Sequence, residues 1–302
     1  MALRPTLSDE VAVALSEHRP VVALESTIFS LLGLPAPANA DALERCLAAV
    51  RAMGAVPALT CVLDGTARVG IDDGDHERVL TGTRKVAERD LAVAVGLGWA
   101  EGMTTVSAAL ALAHLAGISV FATGGIGGVH RGVELTGDVS ADLDALAHHP
   151  VICVSAGAKA FLDLARTLEL LETLGVAVVG YRTDHFPAFY TRSSGLPVPH
   201  RVESADQIAA VHGARSRLDA GLLVVNPIPE PDELPATELD RALTAALLDA
   251  EAAGIRGGAL TPFVLQRIGA VTQGRSVPAN LALAEANAGL AADIAVAWSR
   301  VP

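Results

Sequence analysis

Short apolar runs alternate with segments of helical periodicity through most of the 302-residue chain. Apolar runs of about four to eight residues bounded by turn residues are typical of buried strands, whereas apolar residues three and four positions apart form one face of a helix. Strands that alternate with helices predict a mostly parallel sheet with helices on both faces. We therefore predict an α/β protein with a three-layer α/β/α fold.

The periodicity assigns these elements to positions. We predict strands at 20–24, 56–63, 67–71, 119–122, 151–154, 176–180 and 222–225, with a hairpin turn at Asp64-Gly65. We predict helices at 40–53, 107–115, 160–174, 237–253 and 281–298. No Ser- or Pro-rich linker divides the chain, so we predict a single α/β/α domain over 1–302, with 181–220 as its least regular part.

Composition and charge exclude several classes of protein. Apolar residues make up 51% of the chain, which is enough to bury a large core. The net charge of −12 excludes non-specific binding to nucleic acid, which needs a basic surface. The longest apolar run that we identify, residues 91–100, is shorter than the ~20 residues of a membrane span. We find no secretory signal and predict a cytoplasmic protein with no nucleic-acid or membrane partner.

Lysine is almost absent from the chain, which makes its two positions informative. The 22 basic residues comprise 20 arginines and two lysines, Lys85 and Lys159. Arginine can replace a lysine that only carries surface charge, but not one that must lose its proton, because guanidinium stays charged. Either both lysines remain by chance, or at least one is a reactive amine or a phosphate ligand.

Polar residues follow predicted strands, at the edge where open α/β sheets bind ligands. Glu25 directly follows an apolar strand, where a carboxylate either is functional or caps the next helix. Residues 121–132 run from a strand into a loop with four glycines at 124–128, whose backbone N–H groups can hold an anion. The loop lacks the third glycine of a dinucleotide fingerprint and the Lys-Ser/Thr of a P-loop, while His130 and Arg131 favour an anion.

Three further strand ends carry polar side chains. Asp138 and Asp142 can bind a hard cation or position a hydroxyl, or else Ser140 begins a helix with acids in its first turn. Lys159 is predicted near a helix start, where the dipole disfavours an ammonium and suits imine chemistry. Asn226 can direct its amide into the same pocket. Together these residues predict a nucleophilic amine, a carboxylate and an anion site, which suits a phosphorylated sugar.

The segments around these residues resemble the pseudouridine-5′-phosphate glycosidase family, also called indigoidine-synthase-A-like. The similar segments are VALESTI at 22–28, TRKVAERDL at 83–91, FATGGIGGVHRG at 121–132, DVSADL at 138–143, SAGAK at 155–159 and NPIPE at 226–230. The resemblance spans nearly the whole chain. It implies an α/β/α homotrimer that uses a divalent metal such as Mn²⁺. It also implies an enzyme that makes or breaks the C–C bond between C1′ of ribose 5-phosphate and a planar aglycone.

The resemblance also assigns roles to residues. It implies that Lys159 forms an imine with the ring-opened sugar, that Glu25 donates and accepts the proton, and that Asp138 is the metal ligand. It further implies two groups of substrate-binding residues. The residues that contact the substrate are Val106, Ser140, Ala141 and Asp142, and those that hold its phosphate are Lys85, Thr123, His130 and Asn280. Both lysines of the chain thus fall on functional positions of the family.

One loop departs from the family pattern. Where an H-G-M-P stretch is expected, this chain has Leu31-Leu32-Gly33-Leu34-Pro35, with no histidine and one residue more. The loop follows Glu25, so we expect it to line the aglycone side of the pocket and to favour an apolar partner larger than uracil. This expectation predicts C-ribosylation of an aromatic natural-product acceptor, as in alnumycin-type biosynthesis.

Three alternatives remain open at this point. One is a pseudouridine-5′-phosphate glycosidase that acts on uracil and tolerates the leucine loop. The second is a class I aldolase-like lyase, which shares the lysine imine but needs no metal and no cyclic aglycone. The third is a non-catalytic sugar-phosphate sensor, against which Glu25 and Lys159 weigh, because a sensor has no use for a reactive amine.

Overall fold

The computed structural model describes residues 3–255 and 260–301, and in these ranges the chain forms one 11-stranded sheet covered by helices. The strands are β1 Thr6–Leu7, β2 Val21–Leu24, β3 Val56–Leu63, β4 Thr66–Val69, β5 Lys85–Val86, β6 Glu101–Thr104, β7 Val120–Ala122, β8 Ile152–Ser155, β9 Ala177–Tyr181, β10 His200–Val202 and β11 Leu222–Val225. The α-helices are α1 Asp9–Ser16, α2 Ala38–Ala52, α3 His76–Leu80, α4 Glu88–Gly96, α5 Val106–Ala116, α6 Val133–Thr136, α7 Ala141–His148, α8 Leu164–Thr173, α9 Ala205–Gly213, α10 Ala236–Ala252, α11 Leu260–Val271 and α12 Ser276–Trp298.

Neighbouring strands run parallel through the central part of the sheet. The order is β1-β4-β3-β2-β7-β8-β11-β9-β10, with β6 pairing β3 and β5 beside this path. Every pair from β3 across to β10 is parallel. Only at the other end does β3 pair antiparallel with β4 and β6. The predicted mostly parallel sheet is confirmed.

The central strands are apolar because both faces of the sheet are covered. All residues of β2, β3, β8 and β11 are buried. Strands that are buried on both faces consist of continuous apolar runs rather than of alternating apolar and polar residues. Because the sequence shows these runs, it located all four strands to within one residue.

The turn between β3 and β4 also follows from the sequence. Asp64 and Gly65 have φ angles of +52° and +67° and connect Leu63 to its antiparallel partner Thr66. A two-residue hairpin turn with positive φ at both positions favours Asp-Gly. The hairpin that the sequence predicts here is confirmed.

Helices cover the sheet in two groups. Helix α12 packs against α2 and α9 and lies on β2, β7 and β8, whereas α5 packs against α4 and α7 and lies on β2 and β7. The three-layer α/β/α arrangement is therefore confirmed. The buried apolar side chains form one cluster that extends from Val11 to Ala295. This continuous core supports the single domain over 1–302, which stays a prediction.

Helix α12 corrects the expectation that no segment approaches the length of a membrane span. It has 23 residues, and its most apolar 18-residue window has a mean hydropathy of 1.3, so by length and composition alone it can cross a membrane. In the structure, 67% of its most apolar window is buried inside the protein, and core helices meet the same criteria. Asn280, Glu285 and Asn287 interrupt its apolar residues, so the sequence shows no continuous apolar run of this length.

The strand order reverses between β2 and β7. From β2 the chain continues to β3 on one side, and it later returns to β7 on the other side. In open α/β sheets, ligands bind beyond the carboxyl ends of the strands at such a reversal. Glu25 follows β2 and Thr123 follows β7, so the topology places both at this position.

Candidate active site

A cavity of about 410 Å³ lies beyond the carboxyl ends of β2, β7 and β8. The site residues that the family resemblance implies all line it, namely Glu25, Lys85, Val106, Thr123, His130, Asp138, Ser140, Ala141, Asp142, Lys159 and Asn280. These residues are far apart in the sequence and belong to different strands, loops and helices. The fold therefore collects in one cavity the residues that the resemblance singled out, and their individual roles stay predictions.

Glu25 is buried in the cavity wall, with 7% of its surface exposed. Its Oε1 accepts a hydrogen bond from the hydroxyl of Thr123. Burial raises the pKa of Glu25, while the charge of Lys159 lowers it. Bends and turns over residues 26–34 follow Glu25, so it does not cap a helix, and that alternative is wrong.

Lys159 ends an extended segment that is bonded to the glycine loop. Ile126 N donates to Gly157 O at 3.0 Å, and Lys159 N donates to Ile126 O at 3.1 Å. Gly157 has a φ of +78°, and a Cβ at this position would lie 2.2 Å from the carbonyl oxygen of Pro187. Only glycine fits such a position, so the backbone that carries Lys159 is closely constrained.

The helix that follows Lys159 begins later than predicted. We expected it to start at Ala160, but α8 begins at Leu164 and is capped by Asp163, whose side chain accepts from Arg166 N. A turn over residues 160–162 separates Lys159 from the cap. Because the dipole acts only within the first turn of a helix, the helix-dipole argument for Lys159 is wrong. Its neighbours in the cavity are charged side chains instead.

Lys85 faces the same cavity from β5. Desolvation by the surrounding protein lowers the pKa of Lys85, and the charge of Lys159 lowers it further, while Asp142 and Glu25 act in the opposite direction. The two lysines of the chain are thus close enough to interact. An anionic group bound beside them would relieve this repulsion.

The glycine loop uses several of its backbone N–H groups within the protein. Thr123 N donates to Val154 O and Ile126 N to Gly157 O, both at 3.0 Å. Gly127 N donates to Asp142 Oδ2 at 2.8 Å. We expected these N–H groups to hold an anion, and for the three residues named here the structure corrects that expectation. The basic side chains that line the cavity, Lys85, Arg89 and Lys159, supply its positive charge instead.

Asp142 holds the glycine loop through hydrogen bonds from backbone N–H groups. Its Oδ1 accepts from Ser107 N at 3.0 Å and its Oδ2 from Gly127 N at 2.8 Å, so it joins the glycine loop to the start of α5. Ser140 is the N-cap of α7, and its Oγ accepts from Asp142 N. Of the two interpretations of this segment, the helix start is confirmed. Ser140 and Asp142 also line the cavity, so a substrate contact stays a prediction.

Asp138 is the predicted metal ligand. Its Oδ2 lies 3.8 Å from Nδ1 of His130, and His130 N donates to Asp138 O at 3.0 Å. In residues 3–255 and 260–301 no group of three or more His, Cys, Asp and Glu side chains could hold a metal ion. An ion at Asp138 would therefore keep several water ligands. Hard divalent cations bind in this way to one or two carboxylates, so the residues fit such an ion.

The amides at the cavity differ from one another in role. Asn280 lines the cavity, and its Oδ1 is buried without a hydrogen-bond partner among the described residues. Asn226, which we expected to face the pocket, instead donates from Nδ2 to Oδ1 of Asn287 at 3.0 Å. Asn287 was not predicted, although the sequence shows an asparagine within an alanine-rich helical segment, and the structure buries it fully.

The leucine loop contributes one of its two leucines to the cavity. Leu32 and Gly33 line the wall beside Ile28 and Leu265, whereas Leu31 has 51% of its surface exposed. A Cβ at Gly33 would lie 2.6 Å from the backbone of Ile28, so the loop folds back closely on itself. The expectation that this loop lines the pocket is confirmed for Leu32 and wrong for Leu31.

Several proteins of known family are similar to this chain in sequence and in fold. A curated pseudouridine-5′-phosphate glycosidase from Methylobacterium nodulans is 53% identical over 95% of this chain and 86% of its own length. Another from Paracoccus denitrificans is 51% identical over 97% of this chain and 98% of its own length. The crystal structure of the prealnumycin C-glycosynthase AlnA in complex with ribulose 5-phosphate has a TM-score of 0.90 at 36% identity, covering 99% of this chain and 98% of that one.

The crystal structure of an indigoidine synthase A-like protein from Thermotoga maritima has a TM-score of 0.88 at 35% identity and covers 99% of this chain. The family model for indigoidine synthase A like proteins matches residues 10–297. The match includes the strand ends and loops that form the cavity. The chain therefore belongs to the indigoidine synthase A like family.

Proposed function

We propose that this protein is a pseudouridine-5′-phosphate glycosidase, which cleaves the C–C bond between uracil and C1′ of ribose 5-phosphate. The observation that carries the proposal is the cavity that Glu25, Lys85 and Lys159 share, in a chain about half identical to curated enzymes of that name. The only two lysines of the chain both face this cavity. A C-glycosidic bond has no leaving oxygen to protonate, so its cleavage needs another electron sink.

In the synthetic direction, the amine of Lys159 attacks the C1′ aldehyde of the open-chain sugar, and water leaves as the iminium forms. C1′ then accepts an electron pair from C5 of uracil, and the C–C bond forms. Glu25 removes the proton from C5, after which O4′ attacks C1′ and displaces the lysine amine. Cleavage follows the same steps in reverse, with Glu25 protonating C5.

Burial supports the role of Glu25 in both directions. The raised pKa of this carboxyl brings its two protonation states closer in free energy near neutral pH, which suits a group that must both give and take a proton. Lys85 and His130 would hold the phosphate, together with Asn280 in the cavity wall. At Asp138, a hydrated divalent metal such as Mn²⁺ would supply positive charge that neutralises anionic groups of the substrate.

The test is the conversion of uracil and ribose 5-phosphate into pseudouridine 5′-phosphate, followed by chromatography in the presence and absence of Mn²⁺. We expect product with the wild-type protein and none with Lys159→Arg, which keeps the charge but cannot form an imine. Equal product formation by both proteins would overturn the imine mechanism. No product from folded, Mn²⁺-supplemented wild-type protein would overturn the proposed reaction.

A second candidate is the C-ribosylation of an aromatic acceptor. Leu32, Ile28 and Leu265 give the cavity an apolar wall, and the similar structure of AlnA is that of a C-glycosynthase. The curated relatives favour uracil instead. The ratio of kcat/KM for uracil to that for planar polycyclic phenols separates the two, because the second candidate requires the phenol to be the better acceptor.

We further propose that the chain acts as a cytoplasmic homotrimer. The resemblance of the whole chain to the family supports this assembly. The curated relatives are similar to the chain along nearly its full length.

A further inference from the structure

A pair of asparagine side chains lies directly behind the candidate site. Asn287 is fully buried on α12, and its Nδ2 donates to Thr123 O at 2.9 Å and lies 3.4 Å from Gly124 O. Its Oδ1 accepts from Nδ2 of Asn226, which is the first residue after β11. Because the two carbonyl oxygens can only accept, this network fixes which end of each amide faces which partner.

The carbonyls that Asn287 holds belong to the turn at which Glu25 is bound. The hydroxyl of Thr123 donates to Glu25, while the carbonyl oxygen of the same residue accepts from Asn287. Gly124 O also accepts from Ala156 N at 2.9 Å, in the segment that leads to Lys159. A single amide thus contacts the turn that connects the carboxylate to the lysine segment.

The burial of this pair calls for an explanation beyond helix stability. A fully buried amide costs free energy unless its hydrogen bonds are made, and an apolar residue of similar volume would avoid that cost. The neighbours of Asn287 on α12 are alanine and leucine, and Asn280 lies seven residues earlier on the same helix face, in the cavity wall. The helix therefore presents amides only where it approaches the site.

We propose that Asn287, supported by Asn226, is a positioning residue that holds the Thr123 hydroxyl on Glu25. The proposal rests on the proposed function, in which Glu25 transfers the proton. Loss of the Asn287 amide frees the Thr123–Gly124 turn to shift, so that the hydroxyl no longer meets the carboxylate. Glu25 keeps its other charged neighbours, Lys159, Lys85 and Asp142.

The direction of the effect on Glu25 follows from its surroundings. The Thr123 hydrogen bond lowers the pKa of Glu25, and so do the charges of Lys159 and Lys85, whereas burial and the charge of Asp142 raise it. Removing the hydrogen bond therefore raises the pKa of Glu25. In the cleavage direction Glu25 must be protonated, so the limb of the pH–rate profile on which activity falls as Glu25 ionises moves to higher pH.

The experiment compares Asn287→Ala with a matched control, Asn39→Ala. Asn39 is also a buried asparagine whose Nδ2 bonds two backbone carbonyls, those of Phe29 and Leu80, but it contacts neither Thr123 nor Glu25. For Asn287→Ala we expect kcat for pseudouridine 5′-phosphate to fall about 10- to 100-fold, with KM within about threefold and the Glu25 limb moved to higher pH. Asn39→Ala should leave the pH profile unchanged.

A double-mutant cycle tests whether Asn287 acts through Thr123. If it does, adding Asn287→Ala to Thr123→Val lowers kcat by less than about twofold further. Multiplicative losses in the double variant would overturn the proposal, as would a folded Asn287→Ala protein with the wild-type pH profile. If Asn287→Ala does not fold, Asn226→Ala replaces it, because this variant removes only the hydrogen bond that supports Asn287. We expect Asn226→Ala to move the Glu25 limb of the pH–rate profile to higher pH as well. An unchanged limb would overturn the proposal.

One readout is independent of turnover. The carboxyl pKa of Glu25 can be followed by ¹³C NMR of glutamate-labelled protein, with Glu25→Gln to assign the signal. A higher pKa in Asn287→Ala than in the wild-type protein supports the positioning role, and an equal pKa overturns it. If the wild-type protein does not turn over pseudouridine 5′-phosphate, the proposed function fails, and this titration still decides whether Asn287 positions the hydroxyl.

Discussion

At the scale of single residues, the ionisation of Glu25 in the cavity depends on the balance between its burial and the charges around it. Burial favours the neutral carboxyl, and the two lysines favour the ionised one. Neither lysine has arginine's fixed charge, so both can adjust when substrate binds. Replacing any one of these three side chains should therefore change the electrostatic environment of the other two.

Glu25→Gln removes the proposed proton carrier and keeps the shape of the side chain. We expect kcat to fall at least about 100-fold, because general acid–base groups contribute about that much or more. Trapping of the sugar by Lys159 should persist, since the imine forms before Glu25 acts on the base. Retention of more than a tenth of the wild-type kcat would contradict the assignment.

Glu25→Gln should also change stability in a pH-dependent way. The pKa of Glu25 is raised in the folded state, so its favourable contribution is complete below the unfolded-state pKa and is lost as pH rises through the folded-state pKa. The variant should therefore gain Tm relative to the wild-type protein at pH 8 but not at pH 4. Calorimetry at the two pH values measures this, and a difference in Tm that is independent of pH would contradict it.

The two lysines should separate binding from chemistry. Lys159→Ala is expected to abolish turnover while ribose 5-phosphate still binds, whereas Lys85→Ala should weaken ribose 5-phosphate binding about 10-fold or more and leave the imine chemistry intact. Calorimetric titration with ribose 5-phosphate and a single-turnover assay distinguish the two. Equal, mild effects of both substitutions would count against the roles proposed here.

At the scale of elements, the glycine loop is held in place by steric fit. A Cβ at Gly127 would lie 2.2 Å from Oγ of Ser140, the cap of α7. Gly127→Ala must displace that cap or Asp142, and we expect it to destabilise the protein by about 1–3 kcal/mol and to weaken substrate binding. Gly96→Ala is the control, because its Cβ would meet no atom within 4 Å and a helical alanine gains about 0.5–1 kcal/mol. Urea unfolding measures the free energy of unfolding of both variants, and equal values would contradict the prediction.

What the sequence could predict at this scale depends on burial. The buried strands β2, β3 and β11 are apolar runs and were found, whereas β5 and β6, with the sequences Lys-Val and Glu-Gly-Met-Thr, carry no such run. Their pairing is set by β3, because Met103 of β6 pairs with Cys61 of β3 on one side and with Lys85 of β5 on the other. Long-range contacts of this kind, like the bond from Asn287 to Thr123, leave no local pattern in the sequence.

The same limit explains the outcome for the site. Glu25 and Lys159 stand out locally, since one is a carboxylate after an apolar strand and the other is one of two lysines. The start of α8 was misplaced, because Ala160, Phe161 and Leu162 continue the apolar pattern while the cap at Asp163 decides where the helix begins. Capping residues inside an apolar segment therefore deserve more weight than periodicity.

At the scale of the whole molecule, α12 connects the layers to the site. It packs on α2, α9 and three strands, and it supplies Asn280 to the cavity and Asn287 to the turn behind it. Its largely apolar composition is explained by this buried position. Core packing and positioning of the active site thus reside in one element.

The proposed trimer belongs to the same scale. Sedimentation equilibrium should give three times the chain mass of 30.9 kDa, independent of added sugar phosphate. A monomer at micromolar concentration would contradict the assembly without affecting the imine mechanism.

Borohydride trapping with ribose 5-phosphate, with and without Mn²⁺, followed by intact mass and peptide mapping, shows whether Lys159 forms the imine. We expect a single reduced sugar-phosphate adduct on Lys159, absent in Lys159→Arg and present in Lys85→Ala at higher sugar concentration. An adduct on Lys85, or none on correctly folded and Mn²⁺-supplemented wild-type protein, would contradict this expectation.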